Sequence, residues 1–379
     1  MIKRETIGIG MIGHAFMGKA HTIGFRDAAV IGLPDLPRPR LIALCGRDAT
    51  KTNLAGARLG WERVTQDWRD IVSDPEIELV DNVGPNLLHV EPMIAAARAG
   101  KHLLCEKPLA PTAATAHDMW KAAEEAGVRH MCGFNYRFFP ALQLARRMIQ
   151  GGELGTIHHY RSNFLLSSSL DGVRVRSWRD DKGQAGSGSL GDLGSHHIDL
   201  ARFLLDANPA RATGVTRLVV TSGEVGEIET DDAFAAILEF DNGALGVLEA
   251  SRIAGGHLVT SRIEVDGSYG SLQFSLRCLN ELRVAGKDRI FRTITALREG
   301  DPYQENWFPA GHPLGWAGSF AHEAMHILGA VAGLHPVPPI GATFRDGYFC
   351  AEIVDAVLRS ALERTGVDIV YKDVAGRPA

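Results

Sequence analysis

The sequence contains one glycine-rich stretch near its N-terminus, Ile7-Gly8-Ile9-Gly10-Met11-Ile12-Gly13-His14-Ala15-Phe16-Met17-Gly18. An apolar run over residues 6–9 predicts a buried strand, and residues 15–26 are compatible with a helix. Gly8, Gly10 and Gly13 follow the G-x-G-x-x-G spacing of dinucleotide-binding turns. Gly8 would permit the turn, Gly10 would let the backbone approach a pyrophosphate, and Gly13 would let the helix pack on the strand. The helix N-terminus would then bind the diphosphate, so the stretch predicts a dinucleotide site.

The composition is typical of a globular protein, with 379 residues, 45% hydrophobic residues and a net charge of -5. A chain of this length predicts two domains. The near-neutral charge and the lack of a basic cluster predict that neither nucleic acid nor an anionic membrane is a partner. The chain has no apolar run of membrane-spanning length, and its N-terminal residues lead into a strand instead of a signal peptide. Five cysteines without a C-x-x-C pair predict reduced core thiols and a cytoplasmic location.

Strands alternate with helices through residues 1–133, which predicts a Rossmann domain with a doubly wound parallel sheet. After the first strand, the predicted strands are residues 40–45, 79–83, 102–105 and 129–133. The helices expected to follow the first one are residues 51–59, 68–72, 91–99 and 113–126. Ligands of such sheets bind at the carboxyl ends of the strands. Arg47, Pro85-Asn86 and Glu106-Lys107-Pro108 all follow predicted strand ends, which strengthens the nucleotide-binding prediction.

The end of the second strand bears on the choice between NAD and NADP. An acidic residue at this position would accept the adenosine ribose hydroxyls, whereas an arginine can pair with a 2′-phosphate. Arg47 favours NADP slightly, but Asp48 beside it keeps NAD open. The cofactor is therefore predicted as NAD or NADP.

Residues 134–379 form the second predicted domain, an α+β domain for substrate binding and oligomerisation. Its predicted strands are residues 156–164, 212–221, 233–240, 244–252, 261–266 and 271–274. Its predicted helices are residues 140–149, 190–205, 319–332 and 344–363. The hairpin signals at Asp241-Asn242-Gly243 and Gly267-Ser268-Tyr269-Gly270 predict a mainly antiparallel sheet.

Two positions have the chemistry of proton transfer. Lys107 at a strand end, in a partly enclosed cleft, could transfer a proton or hydrogen-bond a substrate hydroxyl. In the predicted helix from Leu190, Asp192 and His196 stand four residues apart, so the carboxylate could orient the imidazole. A dipole-complementing aspartate and a buried structural histidine are the alternatives. A metal site that adds Asp199 is possible, but hydride transfer needs no metal, and none is predicted.

The segment His322-Glu323-Ala324-Met325-His326 matches H-E-x-x-H, the signature of zinc peptidases. Glu352 could then be offered as a third ligand. The nucleotide-binding pattern leaves no role for a protease, so ordinary helix packing is the favoured interpretation of this segment.

Several segments together resemble the glucose–fructose oxidoreductase / inositol dehydrogenase (Gfo/Idh/MocA) family. The matching segments are Gly8-Ile9-Gly10-Met11-Ile12-Gly13, Pro85-Asn86 with His89, Cys105-Glu106-Lys107-Pro108-Leu109, Asn135-Tyr136-Arg137 and Gly191-Asp192-Leu193-Gly194-Ser195-His196-His197-Ile198-Asp199. The turn at residues 267–271 and the strand-rich second half extend the likeness to nearly the whole chain. The Glu-Lys-Pro and D-x-x-x-H-x-x-D elements are specific in combination.

The resemblance implies a Rossmann domain that binds NAD(P) and a C-terminal domain whose large open sheet forms homodimers or homotetramers. Lys107 would contact the nicotinamide ribose and the reacting hydroxyl, and Lys107-Pro108 resembles a peptide bond that is frequently cis in the family. His196 would be the general base, with Asp192 as its partner in substrate binding.

The resemblance also implies the wider binding sites. The implied cofactor-binding residues are Gly8, Gly10, Gly13, Phe16, Met17, Arg47, Pro85, Asn86, His89, Glu106 and Lys107. The implied substrate-binding residues are Lys107, Tyr136, Arg137, Trp178, Arg179, Asp192, His196 and His312, with Trp316 as a further candidate wall residue. Within the family, residues 177–179, 185–191 and 307–316 most resemble levoglucosan dehydrogenase-type sugar oxidoreductases.

The sequence therefore predicts an NAD(P)-dependent dehydrogenase that acts on a secondary hydroxyl of a sugar, anhydrosugar or cyclitol. The catalytic residues are predicted to be Lys107, Asp192 and His196. The alternatives are a non-catalytic nucleotide-sensing protein of the same fold and the zinc peptidase.

Overall fold

The computed structural model describes residues 5–170, 177–223 and 226–378. The chain divides into two compact units. Within the described ranges, the first unit comprises Met1–Ala110, Ala114–Phe138 and Gly315–Tyr348. The second unit comprises Pro111–Ala113, Phe139–Leu314 and Phe349–Ala379.

The first unit is built on a six-stranded sheet in the order β3-β2-β1-β4-β5-β6, and every neighbouring pair is parallel. Its strands are β1 (Thr6–Ile12), β2 (Arg38–Cys45), β3 (Arg63–Thr65), β4 (Leu79–Asn82), β5 (His102–Glu106) and β6 (His130–Gly133). The connecting helices are α1 (Phe16–Ile31), α2 (Ala49–Leu59), α3 (Trp68–Ser73), α4 (Leu87–Arg98) and α5 (Ala113–Glu125). The strand order reverses between β1 and β4, which creates the crevice where such sheets bind ligands. The predicted doubly wound Rossmann sheet is confirmed.

The predicted turn at Gly8 is wrong, and the predicted strand end at residue 9 is too early. Both glycines lie inside β1, which continues to Ile12. A side chain at Gly8 would place its Cβ 1.9 Å from the main-chain oxygen of Glu76, and one at Gly10 would meet Ile71 at 2.5 Å. These two glycines therefore let neighbouring segments pack closely against the strand instead of forming the nucleotide turn.

The second unit is built on a nine-stranded open sheet in the order β16-β15-β14-β13-β7-β12-β11-β8-β17. These strands are β7 (Ile157–Leu165), β8 (Pro209–Arg217), β11 (Ala233–Phe240), β12 (Leu245–Ser251), β13 (Thr260–Gly267), β14 (Ser271–Ser275), β15 (Glu281–Ala285), β16 (Phe291–Thr295) and β17 (Val367–Asp368). A separate pair consists of β9 (Ser222–Gly223) and β10 (Gly226–Glu227). The pair β7–β12 is parallel and the other neighbours in the large sheet are antiparallel, which confirms the mainly antiparallel prediction.

The large sheet has one buried and one exposed face. Buried and exposed residues alternate along β11 and β12: Phe234, Leu238 and Leu248 are buried, whereas Ile237 and Val247 are exposed. The helices assigned wholly or partly to this unit are α6 (Pro140–Gln150), α7 (Lys182–Ala185), α8 (Ser195–Leu205) and α10 (Phe344–Glu363). Helices α6 and α8 pack on the sheet. Strands β15 to β17 escaped the sequence analysis because they are short and carry many exposed polar residues near the sheet edges.

Helix α9 (Gly318–Val331) packs against α1 of the first unit, although the sequence places all residues beyond 133 in the second domain. Close approach is possible because Gly24 of α1 has no side chain, since a Cβ there would lie 2.6 Å from the main-chain oxygen of Phe320. The domain boundary at residue 133 remains a prediction. The packing adds that Gly315–Tyr348 clusters with the unit that contains the six-stranded parallel sheet.

All five cysteines are thiols. Four are buried as expected, but Cys278 is exposed because it lies in a short 3₁₀ turn, Leu276–Cys278, and not in the core. In the described ranges, no helix combines the length and the apolar character needed to cross a membrane.

Candidate active site

The turn between β1 and α1 is formed by Gly13, His14 and Ala15. Gly13 adopts a φ of 104°, which a residue with a side chain rarely tolerates, and its N–H donates to the Cys45 carbonyl at 2.9 Å. Gly18 lets α1 approach the turn, since a Cβ there would lie 2.5 Å from the Gly13 oxygen. Gly13-x-Ala15-x-x-Gly18 therefore occupies the strand-to-helix turn where dinucleotide-binding folds place their glycine pattern. The sequence contains two overlapping glycine patterns, one beginning at Gly8 and one at Gly13. Only the position where β1 ends shows which of them lies in the turn.

The N-terminus of α1 suits a diphosphate. Ala15 provides no side-chain cap, and the first turn contains no acidic residue, so the first N–H groups are not capped by a carboxylate. A helix N-terminus of this kind attracts anions through its N–H groups and its dipole. Phe16 and Met17 begin the helix, and Phe16 is 67% exposed. The residues present thus fit a dinucleotide at this end of the sheet.

Arg47 and Asp48 follow β2 as predicted, and both are exposed. The Asp48 side chain caps α2 by accepting a hydrogen bond from the Lys51 N–H at 3.0 Å. This bond lowers the pKa of Asp48 below its usual range. Asp48 therefore has a structural role as a helix cap.

His89 links two strand ends of the first sheet. Its Nε2 lies 3.0 Å from the Gly84 oxygen in the loop after β4, and its Nδ1 lies 3.2 Å from the Pro108 oxygen after β5. The ring is fully buried, and burial lowers its pKa. Pro85 and Asn86 precede α4 in the same loop, so His89 can stabilise the loop that carries them.

Glu106, Lys107 and Pro108 follow one another at the end of β5, and the Lys107-Pro108 peptide is cis, as the resemblance implies. Lys107 is half-buried. Glu106 is 4% exposed, and its Oε2 accepts a hydrogen bond from the main-chain N–H of Lys107 at 3.0 Å. The Glu106 carboxylate thus holds the backbone of Lys107.

Aromatic residues and a buried arginine complete the predicted positions of the first unit. Trp316 stacks on Phe16, with ring centroids 5.8 Å apart and an interplanar angle of 17°. Tyr136 and Arg137 are buried in the 3₁₀ turn Asn135–Phe138, and Arg137 Nη2 lies 3.4 Å from Asp346 Oδ1. The ion pair gives Arg137 a structural role, and its substrate role remains a prediction.

In the second unit, the predicted helix over residues 190–205 begins differently from the expectation. Residues Leu190–Gly194 form a π-helical turn, and the regular helix α8 starts at Ser195. The wider turn changes the angular spacing on which the Asp192–His196 prediction relied. Asp192 Oδ2 accepts a hydrogen bond from Arg252 Nη2 at 2.9 Å, and the Arg252 side chain is only 4% exposed. Arg252 follows β12 and carries no motif in the sequence, so sequence reasoning missed it.

The start of this π-helical turn is held by Asp231, which the sequence analysis also missed. Its carboxylate accepts hydrogen bonds from the Gly188 N–H at 2.6 Å, the Leu190 N–H at 2.9 Å and the Ser189 hydroxyl at 2.6 Å. Asp192 and His196 thus lie in a segment whose first residues are anchored by a buried carboxylate.

The adjacent histidines of α8 differ in their surroundings. His197 is 1% exposed, its Nε2 lies 2.9 Å from the Ser261 hydroxyl, and burial lowers its pKa to about 3. His197 is therefore a neutral structural residue. His196 is 8% exposed, and its ring centroid lies 6.2 Å from that of Phe164.

The remaining predicted substrate residues lie in loops of the second unit. Arg179 stacks over the Trp178 ring, with Cζ 4.4 Å from the centroid, next to a capping box between Ser177 and Asp180. Residues 171–176, which precede them in the predicted loop, lie outside the described ranges. His312 is exposed, and its Nδ1 lies 2.7 Å from the Pro309 oxygen. Their contact with substrate remains a prediction.

The H-E-x-x-H segment lies in α9, where both histidines bind main-chain groups. His322 Nδ1 lies 2.9 Å from the Phe138 oxygen, and His326 Nε2 lies 2.7 Å from the Val337 oxygen. Burial lowers the pKa of each histidine to about 4. Among the described residues, no group of three or more histidine, cysteine or acidic residues could hold a metal ion. These contacts explain the segment as helix packing.

Comparison with known proteins gives matches over most of the chain. Residues 7–134 match the oxidoreductase family with an NAD-binding Rossmann fold, and residues 142–273 match the GFO/IDH/MocA C-terminal domain. The levoglucosan dehydrogenase of Pseudarthrobacter phenanthrenivorans is 36% identical, over 96% of this chain and 98% of that protein.

Solved structures agree with these matches. A levoglucosan dehydrogenase in complex with NADH and levoglucosan matches with a TM-score of 0.92 and 35% identity, over 96% of this chain and 100% of that one. An oxidoreductase domain protein from Kribbella flavida matches with a TM-score of 0.92 and 39% identity, over 97% and 100% of the two chains. The chain therefore belongs to the Gfo/Idh/MocA family of NAD-binding oxidoreductases.

Proposed function

We propose that this protein is an NAD(P)-dependent dehydrogenase that oxidises a secondary hydroxyl of a sugar, anhydrosugar or cyclitol. The observation that carries the proposal is the uncapped N-terminus of α1 behind the Gly13 turn, with Lys107 at the end of β5 of the same sheet. Full-length similarity to a levoglucosan dehydrogenase supports an anhydrosugar as the first substrate to test.

In the proposed reaction, Lys107, His196 and Asp192 have separate roles. Bound nicotinamide would supply the hydride acceptor. Lys107 aligns the reacting hydroxyl by a hydrogen bond, and its backbone is held by Glu106. His196 accepts the hydroxyl proton as general base. Asp192, held by Arg252, accepts hydrogen bonds from the substrate hydroxyls.

The cofactor is NAD or NADP in this proposal. Arg47 is exposed at the end of β2, where it can meet a 2′-phosphate, while the acidic residue beside it is used as a helix cap. The levoglucosan dehydrogenase structures contain NADH, which supports NAD. The two lines of support differ, so both cofactors belong in the test.

The test is a substrate screen of the purified protein. Levoglucosan, aldoses and inositols are each added with NAD⁺ or NADP⁺, and the absorbance of the reduced nicotinamide cofactor is followed. We expect turnover with at least one sugar-like polyol and only background turnover with simple secondary alcohols. Tight binding of NADH without turnover of any polyol would contradict the proposal and favour the nucleotide-sensing alternative.

We further propose that the open sheet forms a homodimer or homotetramer. On its exposed face, Ile237 and Val247 lie opposite each other on β11 and β12 and are 45% and 40% exposed, and Val215 on β8 is 57% exposed. A cluster of exposed apolar side chains is typical of a protein interface. Next to it, Arg161 pairs with Glu264 at 3.0 Å and also with Asp266, which supplies a polar border. We also propose a cytoplasmic location, which the five thiols support.

The oligomer proposal is tested by light scattering on a size-exclusion column. The wild type is expected at twice or four times the chain mass of 41.0 kDa. Ile237→Asp should shift it toward the monomer, because the interface would have to bury a charge. Thr295→Asp on the exposed side of β16 is the matched control and should leave the mass unchanged. A monomeric wild type at micromolar concentration would exclude the assembly.

A further inference from the structure

The first unit contains a buried ionic cluster centred on His21, a residue that neither the sequence motifs nor the proposed reaction includes. His21 of α1 is 3% exposed and lies between two buried carboxylates. Its Nδ1 is 2.9 Å from Asp81 Oδ2 on β4, and its Nε2 is 3.0 Å from Glu106 Oε1 at the end of β5. An imidazolium donates from both ring nitrogens, so the two contacts fit a protonated His21 ring between two carboxylates.

The charge state of His21 follows from its neighbours. Burial alone would lower its pKa, but attraction to Asp81 and hydrogen bonds to both carboxylates outweigh burial and raise the pKa well above the usual value. Glu323 of α9 is the fourth ionisable group of the cluster, and burial raises its pKa to about 8. Glu323 is thus predominantly neutral at pH 7, and His21 is the cation that balances Asp81 and Glu106.

The cluster is joined to Lys107 through the two oxygens of Glu106. Oε1 accepts from His21, and Oε2 accepts from the main-chain N–H of Lys107 at 3.0 Å. Rotation of the Glu106 side chain would break both hydrogen bonds together. Because Lys107 lies just beyond the last residue of β5, its N–H is held by this carboxylate.

We propose that His21 is a positioning residue for the dehydrogenase reaction, because it fixes the Glu106 carboxylate that orients the backbone of Lys107. The inference rests on the proposed function. It also assigns a place to Glu323, the glutamate of the H-E-x-x-H segment, as a neutral group that adds no further negative charge to the cluster at neutral pH.

The test is His21→Gln. Glutamine removes the positive charge, and its single amide group cannot donate toward two opposite sides as the imidazolium ring does. Asp81 and Glu106 would therefore face each other without a cation. We expect kcat to fall by about tenfold or more, the scale of a small misplacement of a catalytic group. The dissociation constant for NADH, measured by fluorescence, should change by less than about threefold, because α1 still presents the same N-terminus.

A pH profile separates positioning from a general loss of structure. In the variant, Asp81, whose pKa is already raised by burial, faces Glu106 without an intervening cation, and Glu323 is the other acidic neighbour. The kcat of the variant should therefore fall, relative to wild type, as the pH rises between about 5 and 8, because the doubly charged pair repels and Glu106 turns away. Wild-type His21 keeps its charge in this range and adds no such step.

His326→Gln is the matched control, since His326 is also buried but binds the Val337 oxygen outside the cluster. It should lower the melting temperature without changing kcat or its pH profile. A folded His21→Gln protein with wild-type kcat and pH profile would overturn the inference while leaving the proposed function intact. Nitrogen-15 NMR of the wild-type histidines gives a readout that is independent of turnover. We expect the His21 ring to stay doubly protonated at about pH 8. If His21 titrated near pH 6.5, which is about the usual pKa of histidine, the inference would also be overturned.

Discussion

Replacing Lys107 by methionine is expected to lower kcat by about 10²-fold or more, the usual contribution of a group that aligns or transfers a proton. Methionine keeps much of the length of the side chain but removes the ammonium, so the reacting hydroxyl loses its hydrogen-bond donor. The Glu106 contact to residue 107 is made by the main-chain N–H, so the substitution leaves this hydrogen bond in place. Steady-state kinetics with the best substrate of the screen measure the effect.

Lys121→Met provides the comparison for Lys107→Met. Lys121 lies on α5, is 47% exposed, and its Nζ is 3.8 Å from Glu125 Oε1. A surface pair of this kind contributes roughly 0–1 kcal/mol to the free energy of unfolding, so neither kcat nor stability should change much. A Lys107→Met enzyme with turnover equal to that of Lys121→Met would remove Lys107 from the mechanism.

Replacing His196 by asparagine is expected to lower kcat by about 10²-fold or more, because the substrate hydroxyl loses its general base. The variant should also lose the acidic limb of the pH profile of kcat/KM for sugar oxidation, since that limb reports a base that must be unprotonated. The measurement is the initial rate over a pH series at saturating cofactor.

The neighbouring residue His197 offers a sharp control. His197→Asn removes the hydrogen bond to Ser261 from a fully buried site and should cost about 1–3 kcal/mol in the free energy of unfolding. Its kcat below the melting transition should remain near that of the wild type. If His197→Asn abolished turnover while His196→Asn preserved it, the assignment of the base would be reversed.

Much of the fold could be predicted from local patterns. The alternation of apolar runs and helical segments predicts the parallel sheet, and β11 and α10 begin and end at the predicted residues. Burial periodicity and glycine or proline turns act over a few residues, so a sequence can display them directly. Lys107 and Asp192 are likewise recognisable as candidate catalytic residues, because strand ends and helix starts are local features of a sequence.

Other features of the site could not be predicted in this way. The turn glycine is Gly13 and not Gly8 because β1 runs to Ile12, and the end of β1 depends on pairing with β2 and β4. The π-helical turn at Leu190–Gly194 coincides with a hydrogen bond from the Leu190 N–H to the carboxylate of the distant Asp231. A local pattern cannot distinguish such a turn from a regular helix.

By itself, the sequence determined the two sheet types, the nucleotide-binding class of the first domain and the residue types available for catalysis. Only the tertiary structure decided which charges meet: Arg252 with Asp192, and His21 with Asp81 and Glu106. These partners are separated by about 60 to 85 positions in the chain. A buried charge requires a partner because it has lost its hydration. Which chain segment supplies that partner depends on the packing of the whole unit.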